Sequence, residues 1–273
     1  MSNPLDVRMF TVGPVQENAY IATPDRASGR AVMIDPGDEP ERLLAAARAL
    51  GVEIEAILIT HCHFDHVGAV APIARATGAP VYCPEIERPL LSEIMSWVPP
   101  GFGPFEGWEP EHIVKGGERL TLAGLEIEVV FTPGHSPGHV TYALTPAGEI
   151  ENEGPGSAAS GRLRHPRGDS EEPAQAPALL SGDVLFQGSV GRVDLPGGDW
   201  SVLERSIGTL LERFPAESVV YPGHMGVTTL GRELQTNPFL AELRTAAANA
   251  ADEGRPMGLA TQAPVATGEP SRR

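Results

Sequence analysis

The sequence predicts an α/β fold, and three observations carry that expectation. A chain of 273 residues is long enough to bury a large core without disulfides. Short apolar runs of strand length alternate with amphipathic helical stretches along most of it. Between Ala31 and Thr60 a strand, a helix and a second strand follow at β-α-β spacing, which sets parallel strands side by side.

The elements follow in order. VRMFTVG, NAYIAT and AVMID read as neighbouring antiparallel strands. In PGDEPERLLAAARALG, Asp38 is placed to cap a helix, Leu43, Leu44, Ala47 and Leu50 share one face, and Gly51 ends it. EAILIT is a buried strand that delivers His61 to a carboxyl end, where ligands of open α/β sheets bind. VGAVAPIARATG suits a short helix and PVYCP a short strand. From Pro89 to Pro110 a helix gives way to an irregular stretch holding Trp97, Phe102, Phe105 and Trp108; this either walls a pocket or forms a satellite core. GLEIEVVFT and HVTYALT are strands, LLSGDVLF another, WSVLERSIGTLLERF an amphipathic helix, and SVVYPG a buried strand ending at His224. Residues 146–178 lack large apolar side chains and read as a disordered insertion. The expected organisation is a single domain over residues 1–250, with a tail over 251–273.

Composition narrows the partners. Twenty basic against 36 acidic residues leave a net charge of −16, the wrong sign for phosphate backbones or anionic membranes, so neither nucleic acid nor membrane is an expected partner. The two cysteines, Cys62 and Cys83, are not in paired spacing, which fits a reduced, cytoplasmic setting. The N-terminus carries no apolar signal region, and no run approaches the roughly 20 apolar residues of a membrane span.

The chemistry concentrates in ITHCHFDHVG, which places His61, His63, Asp65 and His66 within six positions although the chain has only eight histidines. Neutral imidazole and carboxylate are the donors that zinc and iron take. In an extended segment His61, His63 and Asp65 point to one side, and a turn can bring His66 round to them. Four candidate donors exceed the three that one catalytic zinc needs beside water, which points to more than one metal. VVFTPGH, LLSGD and VVYPGH repeat a single form: an apolar strand, a glycine, and then His135, Asp183 or His224.

With these motifs in order, IDPG, THCHFDH, TPGHSPGH, SGDVLF, GSVGRVDLPGGD and YPGH, the chain resembles the metallo-β-lactamase-fold hydrolases from about Val7 to Leu240. The resemblance implies an αββα four-layer sandwich with a dinuclear metal site. His61, His63 and His135 would hold one ion, Asp65, His66 and His224 the other, and Asp183 would bridge them. The ions would be divalent, zinc first, with iron or manganese as alternatives. SGDVLF, GSVGRVDLPGGD and TTLGRELQTNPFL are most similar to the glyoxalase II-like branch, which implies a small-molecule thioester of the hydroxyacylglutathione type, hydrolysed by a metal-bridging hydroxide that Asp65 orients as the catalytic carboxylate. A thiolate leaving group, of parent pKa about 8.5, departs without a dedicated acid, and the sequence offers no obvious one. The chain departs from that branch at Met225 and Gly226, where relatives have Gly-Pro, and in having only 49 residues after His224 where full-length relatives have a helical region that grips glutathione. The insertion is a further departure.

The alternative reading is a mononuclear iron persulfide dioxygenase acting on glutathione persulfide, using His61, His135 and Asp183 as a two-histidine, one-carboxylate site. The position of Asp183 is characteristic of branches other than the true β-lactamases. The acidic balance disfavours a nuclease, and a silent sensor would have lost donors. Arg192 is a candidate substrate-binding residue or a loop tie to Asp194. Cys62 is expected to be a small buried hydrophobe, His139 a supporting or packing residue, and His112 and His165 incidental.

Overall fold

The computed structural model describes residues 5–147 and 176–252; the expected insertion therefore falls mostly, and the expected tail almost wholly, outside the described residues. The chain begins with antiparallel strands β1 (Asp6–Val12), β2 (Glu17–Thr23) and β3 (Arg30–Ile34). Helix α1 (Pro40–Leu50) then crosses to β4 (Glu53–Leu58), which pairs parallel with β3, as the β-α-β reading expects. Helices α2 (Phe64–Val67) and α3 (Val70–Thr77) lead to β5 (Val81–Pro84), α4 (Arg88–Ser92) and β6 (His112–Val114), which complete a six-stranded sheet in chain order. The second sheet takes β7 (Arg119–Leu122), β8 (Leu125–Phe131), β9 (Val140–Pro146) and β10 (Ala178–Gly182). The small hairpin β11 (Leu185–Phe186) and β12 (Ser189–Val190) and helix α5 (Trp200–Arg213) precede β13 (Val219–Pro222), β14 (Thr228–Thr229), α6 (Leu230–Thr236) and α7 (Ala241–Asp252). Its order is β14-β13-β10-β9-β8-β7, and β10 and β13 run parallel.

Two sheets with helices on both outer faces make four layers, and the period-two alternation of the strands explains why. On β2, Tyr20 and Ala22 meet Leu125, Ile127, Tyr142 and Leu180 of the second sheet, while Ala19 and Ile21 face the helical layer with Leu43, Val70 and Ile73. Val130, Leu179 and Val220 turn the other way, onto Leu203, Ile207 and Leu210 of α5. Strands covered on both faces lose the polar alternation of a solvated sheet, so β2 is buried throughout.

Local expectations differ from the structure in three places. Asp38 does not cap α1: Glu39 sits in the left-handed region at φ 51° with Pro40 after it, so the Asp38 carboxylate reaches only the Glu39 N–H, at 2.7 Å. The donor-rich segment is not extended as far as Asp65, because α2 starts at Phe64. Helices α6 and α7 follow His224, in a stretch for which the sequence pattern predicts no helix, and α7 reaches Asp252. Gly51, at φ 69°, ends α1 as expected. Among the described residues no helix is long and apolar enough to cross a membrane.

Candidate metal centre

Every predicted donor lies just beyond the carboxyl end of a strand. His61, His63, Asp65 and His66 follow β4; His135 follows β8, Asp183 follows β10, and His224 follows β13. Close packing fixes these loops: a Cβ on Gly134 would lie 2.3 Å from the Leu203 backbone nitrogen, and one on Gly223 would lie 2.3 Å from Asp183 Oδ1. Glycine beside the ligand-type residue, the repeated feature of the sequence, is thus required by close approach.

The structure brings the seven residues together. His61 Nε2 and His135 Nε2 lie 3.1 and 2.9 Å from His63 Nδ1. His224 Nε2 lies 3.3 Å from Asp65 Oδ2, with His66 Nε2 4.0 Å from the same oxygen. Asp183 stands between these groups: Oδ2 is 3.5 Å from His135 Nε2 and 3.6 Å from His224 Nε2, and Oδ1 is 3.4 Å from His66 Nε2.

Hydrogen bonds behind the imidazoles aim them inward. His135 Nδ1 donates to the Arg192 carbonyl at 2.8 Å and His224 Nδ1 to the Gln16 carbonyl at 3.3 Å. Asp35 does this for two histidines at once. Its carboxylate accepts from His66 Nδ1 at 3.1 Å and from the Thr60 hydroxyl at 2.6 Å, and that hydroxyl in turn accepts from His61 Nδ1 at 3.1 Å. Each of these rings is left with a bare Nε2 facing the centre.

This arrangement fits metal ions. The lone pairs of His61 and His135 both face His63 Nδ1, which can offer one proton at most, so a shared cation resolves what hydrogen bonding cannot. His66 Nε2 and Asp183 Oδ1 are buried, face the centre and have no hydrogen-bond partner. Imidazole and carboxylate are the donors that divalent first-row metals take.

Burial and charge separate the histidines. Burial, reinforced by the neighbouring imidazoles, pushes the pKa of His61 well below the ordinary value and that of His63 down to about 4. Burial alone would lower His66 too, but Asp183 and Asp65 outweigh it and hold its pKa well above the usual range. His224 is raised in the same way, against burial, by its hydrogen bond to Asp65 and by Asp183. Burial opposes charge on Asp183, yet His66, His135 and His224 hold its pKa far below that of a free carboxylate.

The remaining sequence candidates fall outside the donor set. Cys62 is buried with its Sγ 3.6 Å from Cys83 Sγ, on the core side of the loop. His139 stacks on His61 at 4.8 Å and its Nε2 accepts from the Asp183 N–H at 3.0 Å, a supporting role. Arg192 forms a two-pronged ion pair with Asp194, both contacts at 2.7 Å, so its guanidinium ties the loop. His112 stacks on Tyr82, away from the centre, and His165 lies outside the described residues. The aromatic stretch follows its pocket reading and forms no satellite core: Phe105 and Trp108 pack on the main cluster behind the first sheet, while Phe105, stacked on Phe64, and Phe102, tilted against it, line a small pocket with Val12, Pro14 and Asp65. Met225, the residue that departs from Gly-Pro, adopts φ 68°, and its carbonyl accepts from Asn18 at 2.9 Å.

Two acidic residues at the centre escaped sequence reasoning. Asp35 had a signal, its place at the end of β3 in IDPG. Glu17 had none: it is fully buried 3.7 Å from His66 Nδ1, neither of its oxygens has a hydrogen-bond partner, and burial pushes its pKa well up.

Comparison with known proteins agrees with the layered α/β fold. The sequence profile of the Metallo-beta-lactamase superfamily matches residues 12–146. Hydroxyacylglutathione hydrolase GloC of Haemophilus influenzae is 30% identical over 239 residues, covering 86% of this chain and 98% of that protein. The crystal structure of the BLEG-1 B3 metallo-beta-lactamase superposes with a TM-score of 0.70 at 33% identity, over 86% of this chain and all of that one (100%). The crystal structure of TTHA1623 in a di-iron-bound form does so with a TM-score of 0.65 at 39% identity, over 85% and 100%.

Proposed function

The chain belongs to the metallo-beta-lactamase superfamily, and on that premise we propose that it is a dinuclear metal-dependent hydrolase of thioesters, of the hydroxyacylglutathione hydrolase type. The observation that carries the reading is the shared carboxylate: Asp183 reaches His135 on one side and His66 and His224 on the other, all within 3.6 Å. His61, His63 and His135 would hold one divalent ion and Asp65, His66 and His224 the second, with Asp183 common to both. The likeness to GloC along nearly its whole length supports the substrate class. Zinc and iron both suit the donors, and the di-iron relative supports a pair.

When bound, two such ions would lower the pKa of a water toward neutrality and polarise a substrate carbonyl. The chain's own contribution is orientation. Asp65 is kept ionised against its burial by His66 and His224, so it can accept a hydrogen bond from the attacking water and aim its lone pair at the carbonyl carbon. Asp35, Thr60 and the carbonyls of Arg192 and Gln16 hold the imidazoles in the tautomer that keeps Nε2 unprotonated. As the carbon–sulfur bond breaks, the thiolate leaves without protonation, which suits a centre whose titratable groups are engaged as donors to metal.

The test is a panel of acyl thioesters, S-lactoylglutathione among them, offered to zinc-loaded and iron-loaded protein beside a β-lactam and glutathione persulfide with an oxygen electrode. Release of free thiol without oxygen uptake is expected. Failure of fully loaded protein to cleave any thioester would falsify the reading, and oxygen uptake with the persulfide would replace it with the mononuclear iron alternative.

A further inference from the structure

The three-imidazole group is assembled from two loops of different sheets, and a third segment ties those loops together. Glu87 closes the short turn between β5 and α4 and is fully buried, although its neighbour Ile86 is 54% exposed. Its carboxylate accepts three hydrogen bonds. Oε2 takes the Cys62 N–H at 3.2 Å; Oε1 takes the Ser136 hydroxyl and the Gly138 N–H, each at 2.8 Å. Cys62 lies between His61 and His63, and Ser136 directly follows His135. One carboxylate therefore grips the backbone of the β4 loop with one oxygen and the β8–β9 loop with the other. Gly138 makes room for it: a Cβ there would lie 2.7 Å from Glu87 Cγ and 2.8 Å from Oε1. The second glycine of TPGHSPGH is thus explained by Glu87 and by nothing at the metal centre itself.

We propose that Glu87 is a positioning residue, which sets the separation of the His61–His63 loop from the His135 loop and so pre-forms the three-imidazole group for its cation; this rests on reading that group as a metal site. Without a cation, nitrogens 2.9–3.1 Å apart have too few protons to hold one another, and the loops bearing them would relax outward. A buried acceptor fixed to both loops opposes that relaxation, so the cation meets donors already in place. In the second donor group the imidazoles are braced elsewhere, His66 by Asp35 and His224 by the Gln16 carbonyl, and none of the Glu87 hydrogen bonds reaches Asp65, His66 or His224.

Glu87→Gln keeps the shape but sets an amide NH2 against one of the N–H groups the carboxylate now accepts. Zinc affinity is measured on the full chain by competition with a chromophoric chelator in two backgrounds, His224→Ala, which spares the three-imidazole group, and His135→Ala, which removes it. Circular dichroism of the metal-free chains monitors folding. Glu87→Gln is expected to weaken zinc about 10–100-fold in the His224→Ala background and to change it by less than about twofold in the other. Equal weakening in both backgrounds, or no weakening in the first, overturns the proposal. Should Glu87→Gln fail to fold, Ser136→Ala decides instead: a smaller loss confined to the His224→Ala background supports the proposal, and no loss there overturns it. Absence of zinc binding in the His224→Ala chain itself would refute the metal reading, and the proposal with it.

Discussion

The two halves of the molecule supply the centre in different ways. The first sheet delivers four donors from one loop, His61 to His66, where the end of β4 passes into α2. The second sheet delivers three, His135, Asp183 and His224, each from its own strand end and each separated by tens of residues. In the first half local backbone geometry sets most of the spacing. In the second only the sheet does, so its donors depend on β8, β10 and β13 keeping their register and on α5 packing behind Gly134. The halves meet in Asp183, a donor of the second sheet that touches partners from both.

That comparison orders the expected effects. Asp183→Ala removes the shared donor and is predicted to lower kcat/KM by about 10³-fold or more, roughly 4 kcal/mol, and to reduce bound metal. Full activity in that variant would remove the bridge from the account. His63→Ala and His135→Ala take one donor of the same group from opposite halves, so each should cost about 10²–10³-fold in kcat/KM and leave the other ion in place by mass spectrometry. A loss of both ions in only one of the two would show that the halves are unequal.

Asp35 stands behind both groups: Oδ2 accepts from the Thr60 hydroxyl and from His66 while Oδ1 accepts from the Thr60 N–H, and Asp35→Asn, with a single oxygen, cannot serve both positions. Zinc affinity should fall about 10–100-fold in each, read by chelator competition, and a loss confined to one group would break the symmetry assigned to Asp35. Proton release separates the groups at pH 7. In the cation-free chain the carboxylates of Asp65 and Asp183 raise the pKa values of His66 and His224 against burial, so protons compete with zinc at their group to higher pH, and affinity there should go on rising with pH, by about tenfold per unit for each proton released. His63, lowered to about 4, and His61, lowered well below the ordinary value by burial, compete with zinc only in acid, so their contribution is flat above about pH 5.5. Indicator titration should find more protons released by zinc from the His135→Ala chain than from the His224→Ala chain; equal release contradicts the assignment. Smallest of all, Cys62→Ala should cost about 1 kcal/mol of stability in denaturant melts, the value of a small buried group, with metal content unchanged.

The contrast between the halves also decides what could be read from the sequence. Donors crowded into HCHFDH announce themselves, and the strand-Gly-donor repeat found the other three because each sits at a strand end. The four layers followed from a family resemblance, whereas the strand-helix-strand unit followed from periodicity alone. β6 and β7 escaped notice because strands of three or four residues at a sheet edge carry too few alternations to be seen. Asp65 was placed on an extended segment because four helical residues leave no periodic signal. Asp35 and Glu87 act through partners 25 to 51 positions away, a relation that no local pattern encodes, and Glu17 lies 3.7 Å from His66 only because β2 runs beside that loop. α7 went unread because its alanines give neither a clear apolar face nor a cap.

The central claim is that the two halves close on two ions rather than one. It is tested most directly by the metal-to-protein ratio of the full chain, loaded with excess zinc, desalted and measured by plasma mass spectrometry against amino-acid analysis. Two ions per chain are predicted. One ion per chain, unchanged on further loading, would contradict the account.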